Sequence, residues 1–523
     1  NPREKLSRQL WAGPRAGASG DTGWLDPGAA ERAIRERLGF DGQLLTFPHH
    51  LSHAASAFYF SGFADAAVLT VDGVGEWSTM TYGTGQGRQL ELFEEVTFPH
   101  SLGLLYSTLT AFLGFRVNDG EYKVMGLAPY GEPRFVDQIC TLVAMGEDGQ
   151  IRLNLPYFDF ISGSTMFSPA MSLLFGTPPR KPRADIEQIH RDIARSLQLV
   201  LEEILLEKAH YLQRRTAASQ LCMAGGVALN CVANGRLRRE GPFDDLFVQP
   251  AAGDSGGCLG AAALAHIELT GERIPLSPQR HAHFGPRYSR SEIAGLIRAT
   301  GLPAIDYLDR ESELLETTAQ RLADGEIIGW FHGRMEHGPR ALGARSILAD
   351  PRQLERRERV NRLIKKREDF RPFAPSVLLA DAGEHFELDH PSPFMLETCR
   401  VVSGLELAAV THVDGSARPQ TVDPRTHPRY AGLLSAFKDL TGCPILLNTS
   451  FNVAGEPIVC SPVDALFTFA LAGLDALVLE DFVIERDMLP ENWPLLLQVW
   501  DRKASHALAA SQHRISETLY TFV

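Results

Sequence analysis

At 523 residues the chain is several times the length of a typical domain, so two or three domains with buried cores are expected; its 44% hydrophobic and 22% charged residues exclude wholesale disorder. Lys and Arg number 51 against 64 Asp and Glu, and the net charge of −13 argues against a general nucleic-acid-coating role, leaving only local basic sites. The apolar run over residues 465–479 is broken by Asp475, so no membrane span is expected, and seven scattered Cys without a CxxC pair fit a reducing compartment, by default the cytoplasm.

Residues 1–42 begin with Asn1 rather than Met, carry neither a signal nor a transit pattern, and read as a Gly-, Arg- and Pro-rich connector with one helix at 27–38. Residues 44–57 run a short strand into HHLSHAASAF, and AAVLTV at 66–71 reads as a buried strand ending in Asp72-Gly73-Val74-Gly75. A long amphipathic helix is predicted over 186–212 from the spacing of Ile189, Ile193, Leu197, Val200 and Ile204, leading to a strand and Gly pair at 221–226. Pro and Gly interrupt the periodicity over 269–286, which places the boundary between a first domain, 1–270, and a second, 286–485. The second half reads as helices at 289–299 and 311–324, a strand at 326–331, a basic loop-helix region to Arg371, and strands near Val377 and at 445–447. The tail, 486–523, is expected to form a packed helix or a partner surface. No repeat of 20 to 50 residues interrupts this α/β and α+β pattern.

His49 and His53 are four residues apart, which on a helix puts both imidazoles on one face within reach of one ion. Ala54, Ala55 and Ala57 let other backbone approach, Asp72 closes the strand beside them, and Asp254 sits in AGDSGG where a helix is expected to open at Cys258. Two His and two carboxylates suit Fe(II), Mn(II) or Zn(II) rather than a thiolate site. Three Gly-rich turns after apolar strands, at 72–75, 224–230 and 252–257, offer backbone N–H groups to phosphate, and together they point to a nucleotide cleft involving Gly73, Gly75, Gly225, Gly226, Asn230 and Asp254. None matches a P-loop or a dinucleotide fingerprint. Glu121 and Lys123, in a turn between apolar blocks, are either a solvent-facing pair or contacts to acceptor or nucleotide.

In the second half, residues 333–346 mix three Arg with three Gly after a strand, a pattern suited to an anionic small molecule. Within residues 352–371 nine basic residues meet four acidic ones; Arg356, Arg357, Arg359, Arg362 and Lys366 read as a solvated helix face, whereas Lys365, Arg367 and Arg371 are expected to point toward a cleft. Asn448, Ser450 and Asn452 follow the strand CPILL and offer amides and a hydroxyl to a planar carbonyl or amide.

The blocks HHLSHAASAF, VDGVGEW, SLGLLYSTLTAFLGFRVNDGEYKVMGLAPYG, MAGGVALN and AAGDSGGCLGAA resemble the amino-terminal half of the O-carbamoyltransferases of antibiotic and nodulation-factor biosynthesis. That half is similar to the actin-like (ASKHA) threonylcarbamoyl transferases. GWFHGRMEHGPRALGARSILADPR, KKREDFRPFAPSV and LLNTSFNVAGEPIV resemble the family's carboxy-terminal half, a YrdC-like carbamoyl-adenylate-forming fold. The resemblance runs over residues 47–484. It implies a divalent metal, with Fe(II) the first expectation, at His49, His53, Asp72 and Asp254. It also implies carbamoyl phosphate and the adenylate at Arg340, Lys365, Arg371 and Ser450, with Arg345 and Arg367 in the same basic region. Nothing before Phe47 matches the strand pair with a His-Asp motif that opens the family. Either the chain begins after the family's start or its first lobe is incomplete, and a catalytic base is expected among the missing residues.

The reading that follows is a cytoplasmic ATP-dependent O-carbamoyltransferase, a homo-oligomer in one form, acting on a small-molecule hydroxyl and on neither nucleic acid nor membrane. The aromatic-rich stretch 157–175 is expected to wall the acceptor. Its rivals are a tRNA threonylcarbamoyl enzyme and a non-catalytic ATP-binding regulator.

Overall fold

The computed structural model of the chain describes residues 28–146, 148–161, 163–272, 274–365, 370–490 and 493. Its contacts fall into two compact units, one running up to Gln279 and one starting at Arg280.

The first unit opens on α1 (Ala29–Leu38), inside the predicted helix. Residues 44–47 form no strand, and the chain passes directly into α2 (His49–Ser61). There follow β1 (Asp65–Gly75), β2 (Ser78–Gln86), β3 (Gln89–Thr97), α3 (Leu102–Phe112), α4 (Glu121–Leu127), a small hairpin of β4 (Val143–Met145) and β5 (Ile151–Leu153), α5 (Gln188–Thr216), β6 (Gln220–Ala224), α6 (Cys231–Glu240), β7 (Asp245–Val248) and α7 (Asp254–Thr270). The main sheet has the order β3-β2-β1-β6-β7. β1 is antiparallel to β2 and parallel to β6, so the pairing direction changes across it. Its continuous apolar run explains the central position, since a strand covered on both faces needs no polar alternation.

α2 lies against β1 and β6 and buries Ala54, Ala55, Ala57 and Phe58 with Ala66, Val68, Cys222 and Ala224. Burying one side chain the size of Phe58 contributes about 2 kcal/mol. α7 packs on α2 through small residues. A methyl group at Gly260 would overlap Ser52 O and press on Ser56 N, so the two helix backbones meet directly. Buried Gln249, just after β7, donates to Ser56 O and ties the same helix from a third element.

The second unit contains α8 (Arg290–Thr300), β8 (Ile305–Asp306), α9 (Glu311–Ala323), β9 (Ile328–Phe331), β10 (Arg345–Ala349), β11 (Ala374–Leu378), the pair β12 (Cys399–Arg400) and β13 (Ser416–Ala417), β14 (Gln420–Val422), α10 (Pro428–Thr441), β15 (Ile445–Ser450), α11 (Pro462–Ala472), β16 (Ala476–Leu479) and β17 (Phe482–Glu485). A mixed eight-stranded sheet runs β14-β11-β15-β10-β9-β16-β17-β8. Its core gathers Trp330, Ile347, Tyr430, Leu446, Phe451, Phe469 and Leu477. β15 is antiparallel to both β10 and β11, with Ser346 opposite Ser450 and Ala374 opposite Asn448. The segments leading into β10 and β11, which carry Arg340 and Arg371, therefore meet the sheet at the edge where β15 ends with Ser450.

Both units are mixed α/β. Among the described residues no helix is long and apolar enough to cross a membrane. Of the tail expected at 486–523, only residues 486–490 and Trp493 lie among the described residues.

Candidate functional site

The i, i+4 pair expected on a helix is there: His49 and His53 stand one turn apart on α2, with Nε2 facing Nε2 at 2.9 Å. β1 supplies Asp72 and α7 supplies Asp254 as its first residue. Asp72 Oδ2 is 2.9 Å from His49 Nε2 and 3.5 Å from His53 Nε2, and Asp254 Oδ1 is 3.4 and 3.5 Å from the same two nitrogens. One donor atom from each of the four residues lies within 4.8 Å of the other three. A first-row ion about 2.1 Å from each donor spaces neighbouring ligands by about 3 to 3.5 Å, so the quartet fits one such ion.

The electrostatics agree with a cation-seeking pocket. Burial alone would raise Asp72, but its bonds to His49 and His53 hold the carboxyl well below the usual range. Burial would lower His53, yet its bonds to Asp254 and Asp72 win and push the imidazole up to about 9. The two carboxylates thus keep a positive charge, a proton on His53, between them.

Several residues hold the quartet in place. Glu76, at φ 46° in the tight connection between β1 and β2, accepts the His49 N–H through Oε2 at 3.0 Å, at the open start of α2. The second Asp72 oxygen, Oδ1, takes the Gly226 N–H at 2.9 Å. His50, the imidazole between His49 and His53 in the chain, belongs to the fold: Nε2 donates to Ser78 O at 2.9 Å and Nδ1 pairs with Thr70 Oγ1 at 2.6 Å. Burial takes it down to about 3, so it stays neutral.

In the second unit the Arg-bearing segment is closed by a carboxylate that the sequence reading passed over. Buried Glu336 accepts through Oε1 from the N–H groups of Leu342, Ala344 and Arg345. Arg340, half-buried, stands between Glu336 and these residues in the chain.

Residues 29–263 match the family described as Carbamoyltransferase N-terminus, and residues 319–486 match Carbamoyltransferase C-terminus. The nodulation protein NolO of Bradyrhizobium diazoefficiens is 41% identical over 89% of this chain and 83% of its own. The chain belongs to the carbamoyltransferase family. It is therefore an enzyme, a transferase, and the reading as a non-catalytic regulator falls. The 3'-hydroxymethylcephem-O-carbamoyltransferase of Amycolatopsis lactamdurans is 31% identical over 86% of this chain and 82% of that one. An uncharacterized protein of Synechocystis is 49% identical over 86% and 77%.

Other expected site residues of this carbamoyltransferase are placed differently. Asp72 to Gly75 form no turn: they continue β1 past an irregularity in its pairing with β2. Gly75 is there because a side chain would collide with the His49 ring, while Gly73 has open space where a side chain would stand. Gly225 holds φ 95° against the backbone of Val71 and donates its N–H to Ala252 O, and Gly226 serves Asp72, so neither N–H is available to phosphate. Asn230 caps α6 through the Ala233 N–H and is bonded on both sides of its amide to Gln198. α7 begins at Asp254, not at Cys258.

Glu121 starts α4 instead of lying in a turn, and it accepts from Ser107 Oγ and from the N–H groups of Asn118 and Gly120. Lys123 Nζ lies 5.9 Å from the centre of the Phe115 ring. Of the aromatic residues of 157–175, Phe158, Phe160 and Phe175 are buried, Tyr157 and Phe167 are half-buried, and Phe167 and Phe175 meet Phe112 at 5.3 and 5.4 Å between ring centres.

Arg345, expected at the anion, is 0% exposed. Its guanidinium donates to the carbonyls of His332, Ala344, Pro286 and Gly333 and stacks 3.5 Å from the centre of the Phe331 ring. It braces the fold. Arg359, assigned to a solvated face, forms a two-pronged pair with Asp475 at 2.8 and 2.6 Å. Asn448 is buried and donates to Ala341 O, Ser376 Oγ and Gln420 Oε1, fixing the chain just after Arg340. Ser450 Oγ donates to Asn452 Oδ1 at 2.6 Å. Arg371 is half-buried at the approach to β11; the side chain of Lys365, and Arg367 entirely, lie outside the described residues.

Proposed function

We propose that this carbamoyltransferase is ATP-dependent and moves the carbamoyl group of carbamoyl phosphate, through carbamoyl adenylate, to a hydroxyl of a small-molecule acceptor. The observation that carries the reading is the convergence of His49, His53, Asp72 and Asp254 in a chain whose relatives include an enzyme named for O-carbamoylation of a hydroxymethyl group. The change of pairing direction across β1 supports an actin-like nucleotide-binding character for the first unit, and seven cysteines without a disulfide support a cytoplasmic setting.

The second unit would form the adenylate. Carbamoyl phosphate, ATP and water give carbamoyl adenylate, phosphate and pyrophosphate. Arg340, Lys365, Arg371 and Ser450 would hold carbamoyl phosphate and the adenylate, and a guanidinium aimed at charge that grows in the transition state contributes about 2 to 4 kcal/mol. The first unit would carry out transfer: the acceptor oxygen bonds to the carbamoyl carbon, the bond to AMP breaks, AMP leaves with the electron pair, and the hydroxyl proton passes to a base. His49, His53, Asp72 and Asp254 would hold a divalent ion, with Fe(II) preferred, which supplies a Lewis acid for an oxygen of acceptor or carbamoyl group. Asp72, anionic at every working pH and anchored by the Gly226 N–H, keeps both imidazoles turned inward.

The deciding experiment incubates the purified protein with carbamoyl phosphate, ATP and a panel of polyols, sugars and hydroxymethyl compounds, with products read by mass spectrometry. The expected result is an acceptor heavier by one carbamoyl group with AMP and pyrophosphate formed together. Absence of carbamoyl-phosphate-dependent pyrophosphate with every acceptor overturns the reading.

A further inference from the structure

The stretch from Ala341 to Arg345 is not helix or strand until its last residue, yet side chains meet most of its backbone groups, with backbone N–H groups of His332 and Phe451 on the carbonyls of Ala344 and Arg345. Glu336 Oε1 accepts from Leu342 N at 2.7 Å, Ala344 N at 2.6 Å and Arg345 N at 3.2 Å. From the other side Asn448 Nδ2 donates to Ala341 O at 3.2 Å, Gln420 Nε2 to Leu342 O at 2.8 Å, and Trp330 Nε1 to Gly343 O at 2.9 Å. Gly343 N donates to Ser346 Oγ at 3.1 Å. Gly343 takes φ 98° with the Tyr430 ring against it, a position no other residue could fill.

Glu336 is 5% exposed, and burying a carboxylate is unfavourable unless donors meet it. Three N–H groups on Oε1 meet it here. A turn that had only to close could do so with apolar residues; this one gathers its amides around a buried carboxyl group four residues before Arg340.

We propose that Glu336 is a positioning residue for Arg340. By binding the amides of residues 342, 344 and 345 it closes the intervening chain into a short fixed loop, so that Arg340 is presented in one place before any anion arrives. The ordering is completed during folding, and carbamoyl phosphate meets a loop already in its binding form, with no loss of affinity to a minor competent population. This inference rests on the reading of Arg340 as a carbamoyl phosphate ligand.

The test compares Glu336→Ala, Glu336→Gln and Arg340→Ala in the full chain, using carbamoyl-phosphate-dependent pyrophosphate release and hydrogen exchange of the amides of Leu342, Ala344 and Arg345. Glu336→Ala is expected to raise KM for carbamoyl phosphate about 10- to 100-fold while kcat stays within about threefold, because saturating substrate selects the competent loop. The three amides lose protection, and Glu336→Gln, which keeps a neutral acceptor, falls between. Arg340→Ala is expected to lower kcat as well. Wild-type KM in both Glu336 variants, or a fall in kcat at unchanged KM, overturns the positioning role. Where Glu336→Ala does not fold, unchanged KM and unchanged amide protection in Glu336→Gln overturn it equally. Wild-type kinetics in Arg340→Ala instead defeat the assignment of Arg340, and the exchange data still report whether Glu336 fixes the loop.

Discussion

His49 and His53 face each other Nε2 to Nε2 at 2.9 Å, with Asp72 and Asp254 on the same two nitrogens. Two imidazoles at that distance can share only one proton between their facing nitrogens, and two neutral acceptors would repel. The arrangement is stable only with a positive charge between the carboxylates. A proton on His53 supplies that charge, and a divalent ion bound between the carboxylates is expected to displace it.

Elemental analysis of the purified protein should find close to one divalent transition metal per chain. His53→Ala and Asp72→Ala should each reduce it to a small fraction while leaving carbamoyl-phosphate-dependent pyrophosphate release in place. Full metal content in both variants removes the site.

Affinity for that metal should rise with pH. His53 is pushed up to about 9 in the metal-free fold, so below that value an ion must displace one proton, and apparent affinity climbs about tenfold per pH unit until it levels near 9. The metal-free protein behaves oppositely: a raised folded value means its stabilising proton is fully present below the ordinary imidazole range and is lost as pH rises through 9. Calorimetric titrations between pH 6.5 and 8.5, beside melts in chelator, check both slopes. A flat affinity profile contradicts the exchange.

Gly260→Ala should damage the site from a distance. Its methyl group meets Ser52 O, so α7 must shift away from α2 and take Asp254 with it. Overpacking of this kind destabilises by about 1 to 3 kcal/mol. Metal affinity should fall at least tenfold, as it would for Asp254→Ala, whereas Gly271→Ala, at the far end of α7 from Asp254, should cost some stability through its φ of 69° but leave metal affinity unchanged.

Arg340 and Arg345 should separate cleanly despite lying five residues apart. Arg345→Ala leaves four backbone carbonyls and a ring face without their guanidinium and should lower stability by about 3 kcal/mol in urea unfolding. Arg340→Ala should lose less stability than Arg345→Ala and lose about 30- to 1000-fold in adenylate formation. Equal loss of stability in the two variants would show that Arg340 is also a brace.

The convergence of His49, His53, Asp72 and Asp254 was legible because each signal is local: four residues on a helix, an Asp in an apolar strand and an Asp in a Gly-rich segment each carry their geometry with them. The helices at 186–212, 289–299 and 311–324 were legible for the same reason, through repeated apolar positions. Function within the Gly-rich segments was not, because a glycine needed for close packing and one needed for phosphate look alike; only the neighbours of Gly75 and Gly226 in space distinguish them. Arg345 was misread since nothing local marks an arginine that will be closed over by Phe331 and four carbonyls from three chain segments. Glu336 was missed because its partners lie six to nine residues onward, beyond the reach of helical or strand periodicity.

The glycines around this quartet have one more implication, for engineering. Gly75 abuts the His49 ring, Gly225 the backbone of Val71 and Gly260 the backbone of Ser52, so at each position the chain closes in without a side chain of its own. A contact with nothing to trim can be altered by mutation only through overlap. Saturation libraries built on these three positions should therefore return only variants in which His49, β1 or α2 is displaced, and changes selected for new properties should accumulate elsewhere.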